Sequence, residues 1–121
     1  MADSHILGKE GEEIAADHLR QKGYNILHRN WNSGKREIDI IAETGDFIVF
    51  VEVKTRAHDF QIPMRHVVTN QKQKTLEYAA EAYIKRYNID KESRFDIVYL
   101  ISDGKSVKID HIENAFYSTL R

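Results

Sequence analysis

A chain of 121 residues, of which 41% are hydrophobic and 31% charged, is long enough for one folded domain with a single core and too short for two. It contains no cysteine, which excludes disulfides, thiolate zinc sites and a cysteine nucleophile, so any metal must be held by oxygen or imidazole ligands. No apolar run approaches the ~20 residues that span a bilayer, and the N-terminal residues lack the apolar segment of a signal peptide. We therefore expect one cytoplasmic domain over residues 1–121.

The charges are unevenly distributed, although the formal net charge is only -1. Residues 20–36 contain five Lys or Arg and no acid, and residues 53–76 contain five with Asp59 as the one acid. A basic rim around an acidic centre would suit a nucleic-acid-binding protein. Ordinary solvated loops and helix faces would give the same distribution, so charge alone leaves both interpretations open.

The chain begins with a predicted helix and strand. Apolar residues at helical spacing predict a helix over residues 5–22, and Gly23 is a typical stop signal after it. The segment "YNILHRNW", residues 24–31, predicts a first strand, which the turn signal "NSGK" ends.

Two further strands, residues 37–43 and 47–55, bracket a predicted turn at Thr44-Gly45. A two-residue loop at that position would pair Glu43 with Asp46 and would fix the register of the whole hairpin.

The remaining elements follow in the second half of the chain. Residues 56–68 show no regular period and predict a loop, and residues 69–87 predict a second long helix. Strands are predicted over residues 94–101 and 105–112, and a short terminal helix over 113–120. The order αβββαββ, with a crossover helix after a hairpin, predicts a mixed α/β sheet flanked by helices on both faces.

The hairpin carries charged residues among its apolar ones. Because side chains alternate between the faces of a strand, Asp39 and Glu52 would share one face as diagonal neighbours about 7–8 Å apart, and Lys54 would join them. Two close carboxylates repel each other, and their burial without a partner is costly. Oxygen ligands of this kind favour Mg²⁺ or Mn²⁺, and a lysine beside them could activate a water molecule. A surface hairpin with a charged edge is the alternative.

The spacing of these three residues resembles the signature of the restriction-endonuclease-like nucleases, a Pro-Asp followed later by (Asp or Glu)-x-Lys. Asp39 and Glu52 match the metal-binding carboxylates, Lys54 matches the motif lysine, and the resemblance implies that the Val53 carbonyl is a further metal ligand. The sequence departs from the strict motif because Ile38 stands where the proline would be. The resemblance implies a restriction-endonuclease-like αβββαβ core.

The resemblance extends over nearly the whole chain. The segments "GKEGEEIAADHLRQKGYNILHRNW", "REIDIIA", "VFVEVKTR", "TNQKQKTLEYAAEAYI", "RFDIVYL" and "HIENAF" are similar to the YraN-like family of small bacterial proteins, which resembles the archaeal Holliday junction resolvases in pattern. That likeness implies a metal-dependent DNA endonuclease that acts on branched or single-stranded structures and forms a homodimer. A catalytically silent nucleic-acid-binding or protein-interaction module with the same fold remains the alternative.

The resemblance adds further candidate residues. Glu12 matches a glutamate on the first helix of the resolvase-like pattern and would assist the metal, and Lys72 matches a lysine that would contact phosphate. Arg56 and Arg65, in or beside the predicted loop, would bind the DNA backbone. For Glu12, Lys72, Arg56 and Arg65, an ordinary solvated charge is the alternative. Asp96 is predicted to be a hydrogen-bonded structural acid.

Overall fold

The computed structural model describes residues 8–57, 70–102 and 104–116. The elements follow the predicted order of two helices and five strands: α1 Gly8–Gln21, β1 Asn25–Ser33, β2 Arg36–Thr44, β3 Phe47–Ala57, α2 Asn70–Tyr87, β4 Glu92–Ser102 and β5 Val107–Phe116. The predicted helices over 5–22 and 69–87 therefore agree with α1 and α2 within the described residues. Neither helix is long and apolar enough to cross a membrane in the described part of the chain.

Both helices end in the same way. After α1, the Tyr24 amide donates to the Leu19 carbonyl and the Gly23 amide to the Arg20 carbonyl, each over 3.0 Å. Gly23 has a φ of 93°, so its conformation reverses the chain in the manner of a Schellman motif. Asn88, with a φ of 54°, takes the corresponding position after α2. Short connections lead from these helix ends to β1 and β4.

The five strands form one mixed sheet in the order β1-β2-β3-β4-β5. β3 and β4 are parallel and are connected through α2, whereas the other neighbours are antiparallel. This arrangement confirms the predicted mixed sheet and places β3, with the apolar run Phe47–Val51, at its centre.

Each face of the sheet buries its own core. One core joins Ile48 and Phe50 of β3 to Leu76 and Tyr83 of α2, and it includes residues of β2, β4 and β5. The other joins alternate residues of β3, such as Val51, to the buried Ala15, Ala16 and Leu19 of α1. The helices therefore cover opposite faces, as predicted.

The β2–β3 turn differs from the predicted one. The loop is Gly45-Asp46 and pairs Thr44 with Phe47, so the predicted Thr44-Gly45 loop and the predicted Glu43–Asp46 pairing are wrong. Gly45 has a φ of 56°, a conformation that favours glycine in the first position of a two-residue hairpin loop. The register moves by two residues, which preserves the face on which each β3 side chain lies.

The end of the chain also differs from the prediction. Residues 113–116, predicted to begin a terminal helix, continue β5, in which Phe116 pairs with Phe95. Their rings stack with centroids 4.9 Å apart, and this apolar contact stabilises the continued strand. The predicted helical residues 117–120 and the predicted loop residues 58–68 lie outside the described residues, whereas Arg56 and Ala57 belong to β3.

The sheet divides between β2 and β3. Their ladder ends at the pair Ile40–Val51, but β2 continues alongside β1 as far as Arg36, and β3 continues alongside β4 as far as Ala57. We call the opening between Asp39 of β2 and Glu52–Val53 of β3 the fork. One further step of the ladder would have placed Asp39 opposite Glu52.

The side chains of β2 change their alternation at the fork. Ile38 belongs to the core beneath α2, whereas Ile40, two residues later, belongs to the core beneath α1. In a regular strand these two residues would share a face. Asp39 lies between these two residues, where the change of face occurs.

Candidate metal centre

Asp39 occupies the fork with its side chain. The Val53 amide donates a hydrogen bond to Asp39 Oδ2 over 2.8 Å, so the carboxylate replaces a main-chain partner of β3. The N–H and C=O of one strand residue point to the same edge. The Val53 carbonyl therefore faces the fork and not β4. A carboxylate and a main-chain carbonyl thus lie on the two sides of the fork.

Glu52 provides a second buried carboxylate beside the fork and has two lysine partners. Only 6% of its surface is exposed. Its Oε2 lies 3.2 Å from Lys54 Nζ and 3.6 Å from Lys72 Nζ. Lys54 follows two residues later on the same face of β3, and Lys72 belongs to the first turn of α2. The crossover helix therefore places its N-terminal end against this part of the sheet.

The electrostatics of Asp39 oppose its ionisation. Burial raises the pKa of Asp39 to about 7, and the negative charge of Glu52 acts in the same direction. The hydrogen bond from Val53 opposes this increase, while the charges of Glu12 and Glu37 add to it. Near neutral pH, the ionised form of Asp39 therefore lacks sufficient positive charge around it.

The predicted site residues are brought together only in part. Five of them lie at the fork or beside it, namely Asp39, Glu52, Val53, Lys54 and Lys72. Within residues 8–57, 70–102 and 104–116, no three His, Cys, Asp or Glu side chains form a ready-made metal group.

The remaining predicted residues are Glu12, Arg56 and Arg65. Glu12 is half-buried on α1, the helix that covers the other face, although its charge reaches Asp39. The Arg56 guanidinium donates to the carbonyl of Thr55 over 2.7 Å, so the backbone holds it. Arg65 lies outside the described residues.

A second buried acid forms a different kind of cluster. Arg94 donates two hydrogen bonds to Asp96, over 2.9 and 2.8 Å, and His111 Nε2 lies 2.7 Å from Asp96 Oδ2. The Asn114 amide completes the set over 3.0 Å. Burial raises the pKa of Asp96, but these hydrogen bonds outweigh it and hold the pKa below its usual value.

This cluster confirms the prediction that Asp96 is a hydrogen-bonded structural acid. The identity of its partners was missed. The i, i+2 spacing of Arg94 and Asp96 on one strand indicates a shared face and could have identified the ion pair. The pairing with His111 depends on the β4–β5 register, which the sequence does not reveal.

The structure therefore defines a mixed α/β protein with a buried acid–lysine cluster at a division of its central sheet. The sequence model of the uncharacterised protein family UPF0102 matches residues 11–100, and the chain belongs to that family. This finding confirms the predicted family of small uncharacterised bacterial proteins.

Several bacterial relatives match over nearly their full length. The UPF0102 protein of Parabacteroides distasonis is 45% identical over 121 residues, which cover 100% of both chains. That of Bacteroides fragilis is 44% identical and covers 99% of both chains. That of Porphyromonas gingivalis is 44% identical over 96% of this chain and 87% of its own. The chain is thus of about the same length as its relatives.

Proposed function

We propose that this protein is a metal-dependent endonuclease that hydrolyses phosphodiester bonds in DNA. The proposal includes a restriction-endonuclease-like core and a substrate preference similar to that of the archaeal Holliday junction resolvases. The observation that carries it is the fork, where the Asp39 carboxylate reaches the Val53 amide beside the buried Glu52.

The residues of the fork suit a divalent cation. Burial and the charge of Glu52 raise the pKa of Asp39 to about 7. A positive charge at the fork would therefore lower the free-energy cost of ionising Asp39 in the folded protein. The available donors are two carboxylates and a main-chain carbonyl, all of them hard oxygen ligands. Such ligands favour Mg²⁺ or Mn²⁺.

Asp39, Glu52 and the Val53 carbonyl would hold the cation. When bound, it would polarise the phosphodiester and make a water molecule easier to deprotonate. Asp39 must be ionised for this role, and the Val53 amide fixes the orientation of its carboxylate.

Two lysines would act on the substrate. Lys54 Nζ is held 3.2 Å from Glu52, where its ammonium group could orient the attacking water and stabilise developing negative charge on phosphate. Lys72 is 41% exposed and stands at the N-terminal end of α2, so it can contact a phosphate from solvent. Glu12 would add negative charge near the cation from the α1 side.

A silent binding module is the second candidate, and the two ion pairs of Glu52 favour it. Lys54 and Lys72 both contact Glu52, so this carboxylate has positive partners without any cation. A sheet division stabilised in this way could serve only to position a binding surface. The two candidates differ in whether the protein cleaves DNA in a reaction that depends on Asp39 and Glu52.

A cleavage panel tests the proposal. Duplex, flap, single-stranded and four-way DNA are incubated with the protein in Mg²⁺ and in Mn²⁺. Glu52→Gln is the test variant, and Glu92→Gln, which alters an exposed glutamate of β4, is the matched control. We expect cleavage by the native protein and Glu92→Gln, and loss of cleavage with Glu52→Gln. No cleavage of any substrate, or equal cleavage by Glu52→Gln, would reject the enzyme in favour of the silent module.

The proposal includes a homodimer. A four-way junction presents two equivalent strands for cleavage, and two copies related by a twofold axis would meet them symmetrically. Sedimentation of the protein with and without four-way DNA tests this part. A single copy on each junction would contradict it.

A further inference from the structure

A groove lies between the β1–β2 turn and the outer side of α2. It has a volume of about 420 Å³ and is lined by Trp31, Asn32, Ser33, Gly34, Ala82 and Arg86. The groove is on the edge-strand side of the sheet, because β1 is the first strand in the sheet order. It is distinct from the fork, which lies between β2 and β3.

Trp31 and Arg86 line this groove, and Tyr78 lies one helical turn before the lining residue Ala82. The Trp31 ring is half-buried and packs edge to face against Tyr83, with centroids 5.1 Å apart. This contact fixes the orientation of the indole ring. Tyr78 is 48% exposed, and the Arg36 guanidinium lies 4.9 Å from its ring centre. A large exposed ring with a cation against it is the pattern that stacks on nucleic-acid bases and meets their phosphates.

The positions on α2 extend this pattern along the helix. Lys74, Tyr78, Ala82 and Arg86 recur every four residues and therefore follow one side of α2. At 1.5 Å per residue, the distance from Lys74 to Arg86 is about 18 Å, which corresponds to about five nucleotides at a spacing of 3.4 Å. Lys72, two residues before Lys74 near the N-terminal end of α2, contacts Glu52 beside the fork over 3.6 Å.

A purely structural role explains this surface less well. Tyr83 accounts for the packing of α2 because it is 2% exposed. Tyr78, in contrast, places about half of its surface in solvent, and the small Ala82 leaves the groove open between Trp31 and Arg86. An ordinary solvated helix face requires neither an exposed ring nor a cation stacked on it.

We propose that the groove binds an unpaired nucleic-acid strand and directs it toward the fork. Bases would stack on Trp31 and Tyr78, while Arg36, Lys74 and Arg86 would neutralise phosphates. A duplex keeps its bases paired and stacked, so it would not offer them to these rings. The inference rests on the proposed function for the destination of the strand, and it narrows the substrate class to DNA with a single-stranded segment.

Trp31 makes the test direct because it is the one tryptophan in the sequence. Its fluorescence is measured while short oligothymidylate is added to the protein in EDTA, so that metal-dependent cleavage does not contribute. We expect quenching of Trp31, and weaker quenching by a duplex of equal length. The absence of quenching by oligothymidylate would overturn the inference.

Two variants and a charge-matched control localise the binding. Tyr78→Ala should weaken oligothymidylate binding by about 5- to 140-fold, because one stacked base contributes roughly 1–3 kcal/mol. Arg86→Ala should weaken it without removing a ring. Lys108→Ala removes the same charge from β5, at the opposite edge of the sheet, and should have less effect than either. Equal binding by the native protein, Tyr78→Ala and Arg86→Ala would also overturn the inference.

This assay separates the inference from the proposed function. Quenching in EDTA together with no cleavage in Mg²⁺ or Mn²⁺ would support the groove and reject the nuclease. Cleavage that Tyr78→Ala and Arg86→Ala leave unchanged would support the nuclease and reject the groove.

Discussion

The substitution Asp39→Asn should stabilise the protein in the absence of metal. Asparagine has nearly the same shape as aspartate, and its side-chain oxygen can still accept the hydrogen bond that Val53 donates over 2.8 Å. The substitution removes a negative charge that burial and the charge of Glu52 make unfavourable, and it keeps the hydrogen bond from Val53. Most substitutions of a partly buried polar residue destabilise a protein, so an increase in stability would be informative.

The magnitude follows from the pKa of Asp39. The folded-state pKa is about 7 and the usual value is 3.8. At 1.36 kcal/mol for each pH unit, this difference corresponds to a penalty of at most about 4 kcal/mol. Because the folded pKa is raised, the penalty is nearly absent below pH 3.8, grows as pH rises, and reaches its full size above about pH 7. The stabilisation by Asp39→Asn should therefore increase over the same range.

Asp96→Asn is the matched control. Asp96 is also buried and also accepts a main-chain amide, from Asn114, but it has Arg94 and His111 as partners. Its folded pKa is lowered, so its charge contributes stability that is present above pH 3.8 and lost as pH falls below it. Asp96→Asn should destabilise the protein by about 3–5 kcal/mol, since it removes the buried carboxylate that pairs with Arg94 and leaves this guanidinium, among the acids of the described residues, only the 3.9 Å contact with Glu113.

The assay is urea unfolding in EDTA at about pH 5 and about pH 8 for the native protein and both variants. We expect Asp39→Asn to be more stable than the native protein, with the larger difference at the higher pH, and Asp96→Asn to be less stable. If Asp39→Asn is less stable than the native protein at about pH 8, the electrostatic reasoning about the fork is wrong.

Three further predictions concern neighbouring residues. Glu12→Gln should lower the pKa of Asp39, because the Glu12 charge raises it; carbon-13 NMR titration of the carboxyl group measures this, and an unchanged pKa would separate Glu12 from the site. Lys72→Met should change the free energy of unfolding by less than about 1 kcal/mol, since this lysine is 41% exposed, yet should reduce DNA cleavage at least about tenfold; a larger effect on unfolding than on cleavage would contradict the phosphate-binding role. Gly45→Ala should destabilise the protein by about 1–2 kcal/mol in urea unfolding because of its φ of 56°, and an unchanged midpoint would refute the argument from turn conformation.

Much of the fold could be predicted because local patterns determine it. The helices, the strands and their order follow from apolar periodicity and from stop signals such as Gly23. The turn at Gly45 was placed one residue too early, because Thr44-Gly45 and Gly45-Asp46 are similar turn signals and only the backbone conformation distinguishes them. Since side chains alternate with a period of two, a register error of two residues still left Glu52 and Lys54 on the predicted face.

The residues of the candidate site stand out in the sequence, but their geometry does not follow from it. The acids and Lys54 stand out in the sequence because charges are unusual among apolar strand residues. The end of the β2–β3 ladder at Ile40–Val51 and the change of face between Ile38 and Ile40 depend on strand pairing across the sheet, which no single segment of the sequence specifies. The contact of Lys72 with Glu52 depends on the path of the crossover to α2, which no local pattern specifies.

The central claim is that the fork binds a divalent cation, and calorimetric titration with Mn²⁺ tests it most directly. The native protein and Asp90→Asn, which changes an exposed aspartate before β4, should bind Mn²⁺ equally, while Asp39→Asn and Glu52→Gln should lose this binding. The folded state of each variant is checked by its unfolding transition. Absence of Mn²⁺ binding by the native protein, or equal binding by Asp39→Asn, would contradict the claim.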